Sequence, residues 1–81
     1  MKEGEVDIIV AASQLVVFAE VKTRATDSFG DPSLAVTVPK QLRIRRLAAI
    51  WLREHDTHGV EVRFDVVAVL GTNVRVIEGA F

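Results

Sequence analysis

Two apolar runs separated by only two polar residues constrain this chain most. Residues 6–12 read Val-Asp-Ile-Ile-Val-Ala-Ala and residues 15–21 read Leu-Val-Val-Phe-Ala-Glu-Val, with Ser13 and Gln14 between them. Both runs are short, rich in β-branched side chains and nearly continuous, the pattern of strands buried on both faces. A two-residue gap fits a hairpin loop, although Ser-Gln lacks the Asn-Gly chemistry that usually marks one. A hairpin closed there sets Asp7 opposite Glu20 and Ile9 opposite Phe18. Directly opposed residues share a face, with Cβ atoms about 5 Å apart. Lys22, two residues beyond Glu20, falls on that face as well.

Beyond the hairpin the pattern changes. Residues 24–36 gather Thr26, Asp27, Ser28, Gly30, Asp31, Pro32 and Ser33, which is loop chemistry. Thr37-Val38-Pro39 reads as a helix start, with Thr37 as N-cap and Pro39 in the first turn. Residues 40–55 form the predicted helix, in which Leu42, Leu47, Ile50 and Trp51 share an apolar face at helical period. Arg43, Arg45, Arg46 and Arg53 lie mostly off that face. His55-Asp56-Thr57-His58-Gly59 ends the helix. Residues 60–70 form a third strand, Gly71-Thr72-Asn73 a turn, and residues 74–78 a fourth strand. The order strand, strand, helix, strand, strand predicts one mixed α/β domain over residues 1–81.

A domain of 81 residues builds a marginal core and usually draws on disulfides, a metal or oligomerisation. With no cysteine, disulfides and thiolate metal sites are excluded, leaving a carboxylate-held metal or a dimer. A net charge of −1 argues against coating nucleic acid by bulk charge and leaves room for a local basic patch. The charged start Met1-Lys2-Glu3-Gly4-Glu5 has no signal-peptide pattern, and the apolar runs are too short to span a membrane. A cytoplasmic protein is the expectation.

Strands this apolar hold charge only for a reason, because burying an unpaired carboxylate or ammonium is very costly. Asp7, Glu20 and Lys22 would converge at one end of the ribbon, where opposed like charges destabilise a sheet. A divalent cation bridging the carboxylates removes that penalty. Mg²⁺ suits one or two carboxylates completed by water and phosphate oxygens. Such an ion polarises a phosphoryl group and generates a hydroxide nucleophile, while Lys22 orients the water or stabilises charge developing on phosphorus. The plainer alternative stays open: Lys22 neutralises one carboxylate at a solvated strand end, and Glu-x-Lys is common.

Other polar and aromatic residues also admit a bland and a functional role. Lys40, Arg43, Arg45, Arg46 and Arg53 either contact phosphates or form a solvated helix face. His55 and His58 lack a nearby third ligand, and His55 fits a helix C-terminus through the dipole. Asp65 is either an extra acidic ligand or the structural partner of Arg63 or Arg24, and the structural role is preferred. Phe29 packs on the sheet or acts as a lid, and Trp51 reads as core.

Gly4-Glu5-Val6-Asp7-Ile8-Ile9 followed by Phe18-Ala19-Glu20-Val21-Lys22-Thr23-Arg24 resembles the signature of the YraN-like family of bacterial proteins. Ser28-Phe29-Gly30-Asp31-Pro32, Ala35-Val36-Thr37 leading to Lys40, Arg63-Phe64-Asp65-Val66-Val67 and Ile77-Glu78-Gly79-Ala80-Phe81 continue the likeness in order. That family is similar to the PD-(D/E)XK, restriction-endonuclease-like superfamily, and especially to Holliday-junction resolvases. The resemblance implies a mixed β-sheet with a flanking helix. It places Asp7 as the first acidic residue and Glu20 and Lys22 at the (D/E)XK positions. Lys40 or Gln41 falls where related nucleases often add a polar active-site residue. Family members usually carry a further N-terminal segment, including a helix whose glutamate can join the metal site. This chain begins almost at the signature, so the expected fold is truncated at the N-terminus. Apolar sheet surface left bare there would favour a homodimer.

The expectation is therefore a metal-dependent endonuclease acting on DNA, branched DNA included. Asp7 and Glu20 hold Mg²⁺ or Mn²⁺, Lys22 assists the attacking water, and Lys40, Gln41, Arg43 and Arg46 hold the nucleic acid. The alternative is a non-catalytic nucleic-acid-binding or protein-interaction module on the same fold.

Overall fold

The computed structural model describes residues 6–24, with Arg24 by its backbone alone, and residues 36–81. Strand β1 (Ile8–Ala11) turns through Ser13-Gln14 into β2 (Leu15–Arg24), and helix α1 (Val38–Glu54) leads to β3 (Glu61–Leu70) and β4 (Asn73–Ile77). The four strands form one sheet in the order β1-β2-β3-β4. The outer pairs are antiparallel and β2 runs parallel to β3. Parallel neighbours need a crossover, and α1 lies on that connection. The β1–β2 register sets Ile9 opposite Phe18, as the two-residue loop requires.

Two strand limits differ by more than one residue from the sequence reading. Pairing in β1 begins at Ile8, because the Asp7 carboxylate accepts the Val21 amide hydrogen at 2.9 Å and takes the position a strand carbonyl would fill. At the other end β2 continues through Lys22, Thr23 and Arg24, opposite Ala68, Val69 and Leu70. Polar residues persist in this strand because the partner strand supplies its hydrogen bonds whatever its side chains.

Helix α1 starts as expected. Thr37 is its N-cap, with Oγ1 accepting the Lys40 amide hydrogen, and Pro39 lies in the first turn. Its buried face differs from the expected one. Ile44, Leu47 and Ala48 are buried, Trp51 is partly so, and Leu42 is 58% exposed. At 100° per residue Leu42 sits about 160° round from Ile44. The arginines between Ile44 and Ala48 obscure this face in the sequence. The helix stops at His55, where Asp56 adopts φ 51.

The core forms between α1 and one face of the sheet. Phe18 is fully buried, meets Trp51 edge-on at 5.8 Å and stacks on Phe64 at 5.8 Å. Phe64 in turn stacks on Phe81 at 5.4 Å. The Arg45 guanidinium lies 4.5 Å above the Phe64 ring, so this arginine caps the core through a cation–π contact. Since side chains alternate across a sheet, Ile8 and Val10 opposite Ala19 and Val17, and Val74 and Val76 opposite Val69 and Val67, lie on the face away from α1. All four are exposed. Among the described residues, no helix is long and apolar enough to cross a membrane.

Candidate functional site

Glu20 lies mid-way along β2, on the same face as Phe18, and is 5% exposed. A carboxylate held this far from water must be matched by positive charge or hydrogen bonds. Two lysines supply it. Lys40, in the first turn of α1, brings Nζ to 2.5 Å from Glu20 Oε1. Lys22, two residues along β2, brings Nζ to 3.9 Å from the same oxygen. The hydrogen bond to Glu20 pushes the Lys40 ammonium up from its ordinary value of 10.5, against the opposing effects of partial burial and of the Arg43 charge.

Asp7 precedes β1 at the position next in register to Glu20. Its side chain is exposed, and Oδ2 is committed to the Val21 amide. A cation at this carboxylate would therefore be held chiefly through Oδ1. The structure brings Glu20, Lys22 and Lys40 into one cluster, with Asp7 at the adjoining end of the hairpin. Gln41 points elsewhere. Its Nε2 donates to the Val36 carbonyl at 3.0 Å, tying the chain entering α1 to its first turn. Arg43 and Arg46 are exposed. Arg43 is about 60° round the helix from Lys40, whereas Arg46 is about 120° round, so the two arginines address different sides of the helix.

From the sequence, Lys40 takes a phosphate contact or, by resemblance and as an alternative to Gln41, an added polar position at the site; its bond to Glu20 was not foreseen. The signal was present: Lys40 stands four residues before Ile44, hence on the buried side of α1. The remaining polar candidates have structural partners. Asp65, 3% exposed, receives Arg63 through Nε at 2.9 Å and Nη2 at 3.0 Å, and the Gly79 amide at 3.0 Å. Arg63 also reaches Glu78 at 3.2 Å, so one guanidinium joins β3 to the end of β4. His55 stacks on Trp51 at 4.0 Å with Nδ1 2.8 Å from the Trp51 carbonyl, while His58 pairs with Asp56 at 2.8 Å. Phe29, Gly4-Glu5 and Ser28 to Pro32 lie outside the described residues.

The donor chemistry at Asp7 and Glu20 is hard oxygen, which fits Mg²⁺ or Mn²⁺. Among the described residues no group of three or more His, Cys, Asp or Glu gathers as a metal cage. Mg²⁺ held by one or two carboxylates completes its coordination with water and phosphate oxygens.

The profile described as Uncharacterised protein family UPF0102 matches residues 1–69. A UPF0102 protein of Beutenbergia cavernae is 56% identical over 70 residues, 86% of this chain and 59% of that protein. One from Rhodococcus opacus is 55% identical over 67 residues, 83% of this chain and 57% of that protein. One from Moorella thermoacetica is 45% identical over 84 residues, 96% of this chain and 70% of that protein. The chain thus spans less than two thirds of the length of the first two relatives.

Proposed function

This chain belongs to the UPF0102 family, and we propose that it is the core of a metal-dependent nuclease hydrolysing DNA phosphodiester bonds on a restriction-endonuclease-like sheet. The observation that carries this reading is Glu20, a carboxylate 5% exposed within an apolar strand, with Lys22 and Lys40 beside it and Asp7 at the next register position. A buried ion pair contributes little to stability over an apolar replacement, so the cluster is better explained by chemistry than by folding.

In this reading Asp7 and Glu20 hold the metal. When bound, Mg²⁺ or Mn²⁺ polarises a phosphoryl oxygen and lowers the pKa of a coordinated water. Lys22 orients the attacking water and stabilises charge growing on the phosphoryl oxygens. Lys40 and Arg43, at the start of α1, hold the flanking phosphates and fix the register of the duplex. The exposed guanidinium of Arg46 extends that backbone contact along the helix.

A second reading has its own support. Lys40 already neutralises Glu20, and Asp7 already serves the backbone of β2. Both acids would be content in a non-catalytic module that binds nucleic acid or a protein partner. The two readings separate in one assay: end-labelled four-way junctions and single strands incubated with Mg²⁺ or Mn²⁺, beside Asp7→Asn and Glu20→Gln. The nuclease yields metal-dependent products that both variants lose. Salt-sensitive binding of DNA with no cleavage at saturating metal favours the module. Neither binding nor cleavage would sink the nucleic-acid reading altogether.

A further inference from the structure

Resting on the metal-site reading above, we propose that Lys40 is a displaceable counter-ion, seated on Glu20 when no metal is bound and released when a divalent cation takes that carboxylate. The site regulates itself by this exchange, because the metal must compete with a cation built into the chain.

Burial leaves Glu20 few alternatives. Its side chain is 6% exposed, so it cannot fall back on bulk water when unpaired. While it stays ionised, a cation must stand beside it. Lys40 fills the role at 2.5 Å, far closer than Lys22 at 3.9 Å. A divalent ion joining the two carboxylates would carry twice the charge of the ammonium and repel it from a few ångströms away.

The lysine is also built to leave. Lysine carries a compact charge on a flexible four-carbon stem, unlike the planar fork of arginine. The side chain of Lys40 is 27% exposed, so a path to solvent is open beside it. Helix α1 does not depend on this ion pair for its position. Thr37 caps it, Gln41 ties it to Val36, and Ile44, Leu47 and Ala48 bury its inner face. The ammonium can swing without moving the backbone. Once free, it would be available for the phosphate contact proposed above for Lys40 and Arg43 at the start of α1, so metal loading would switch on that contact.

The test is calorimetric titration of Mn²⁺ into the native chain, Lys40→Met, Arg53→Met and Asp7→Asn, with thermal unfolding in chelator and in Mn²⁺. Arg53→Met, in the last turn of α1, controls for removal of an exposed positive charge from the helix that does not touch Glu20. The expected result is Mn²⁺ binding about ten-fold tighter in Lys40→Met than in the native chain, a usual size for coupling between two sites. Arg53→Met should stay within about two-fold of the native chain, as an exposed and screened charge allows. Lys40→Met should also melt lower in chelator and recover in Mn²⁺, since metal bound only by the folded state stabilises it. A variant unfolded in chelator and folded in Mn²⁺ gives the same support. Equal or weaker binding by Lys40→Met, with Asp7-dependent binding in the native chain, overturns the counter-ion role and leaves the metal site standing. A variant unfolded in both buffers also overturns it, because the lysine would then be a fixed structural partner. Absence of binding in the native chain and in Lys40→Met removes the metal site itself, and the inference with it.

Discussion

Asp7 Oδ2 accepts the amide hydrogen of Val21 at 2.9 Å, so a carboxylate closes the open end of the first hairpin where a strand carbonyl would otherwise stand. One oxygen holds the backbone and, in the proposed site, the other would face the metal, so the two roles are separable by substitution.

Asp7→Asn keeps an oxygen that can accept from Val21 and removes the charge. Its stability in urea should stay within about 0.5 kcal/mol of the native chain, as for a conservative surface change. Asp7→Ala loses the hydrogen bond and should cost about 1 kcal/mol. Metal binding should vanish in both. Equal destabilisation by the two variants, with metal binding intact, would make Asp7 purely structural.

Asp65 lies on the other side of the sheet from Glu20 and receives three hydrogen bonds at 3% exposure. Asp65→Ala leaves the Gly79 amide and the Arg63 guanidinium without their acceptor. The loss should be about 3 kcal/mol by chemical denaturation, with no change in metal affinity relative to the folded native chain. A loss of metal binding in folded Asp65→Ala would show that Asp65 belongs to the site.

Phe18 is fully buried between Trp51 and Phe64. Phe18→Ala should cost about 3–5 kcal/mol, a large share of the roughly 5–15 kcal/mol that holds a small domain together. Trp51 is the single tryptophan, so its emission reports the loss directly. A well-folded Phe18→Ala with native emission would place the core elsewhere.

The Lys40–Glu20 pair also sets a pH dependence. Glu20 raises the Lys40 value above 10.5, so in metal-free buffer the pair's contribution is complete below that pH. It is lost as pH rises from 10.5 through the raised folded value. The stability difference between the native chain and Lys40→Met should be flat across neutral pH and shrink only in this alkaline window. A difference that shrinks already around neutral pH would contradict the assignment.

Arg43 and Arg46 should not be equivalent toward DNA. Arg43 lies closer to Lys40 around the helix and should matter more. Arg43→Ala should lower the salt slope of binding by about one phosphate contact, and Arg46→Ala by less. Equal effects at both positions would mean that the duplex lies along the outer side of α1.

Element order and the first register were legible in the chain before any packing was known. A two-residue loop between two strands admits one pairing, so Ile9 had to face Phe18, and Thr37 with Pro39 marked where α1 begins. These are local matters, fixed by backbone geometry and side-chain period over a few residues. The strand limits were less legible. Asp7 trades a ladder position for a side-chain bond, and Lys22 to Arg24 are held by Ala68 to Leu70, a partner strand distant in the chain. The buried side of α1, and with it the meeting of Lys40 and Glu20, was decided by tertiary packing, since the four-residue spacing of Lys40 and Ile44 is informative only once Ile44 is buried. A helix face becomes inner or outer when it packs on the sheet. That choice turned on Ile44 and Ala48 fitting against the sheet, and it carried Lys40 inward with them.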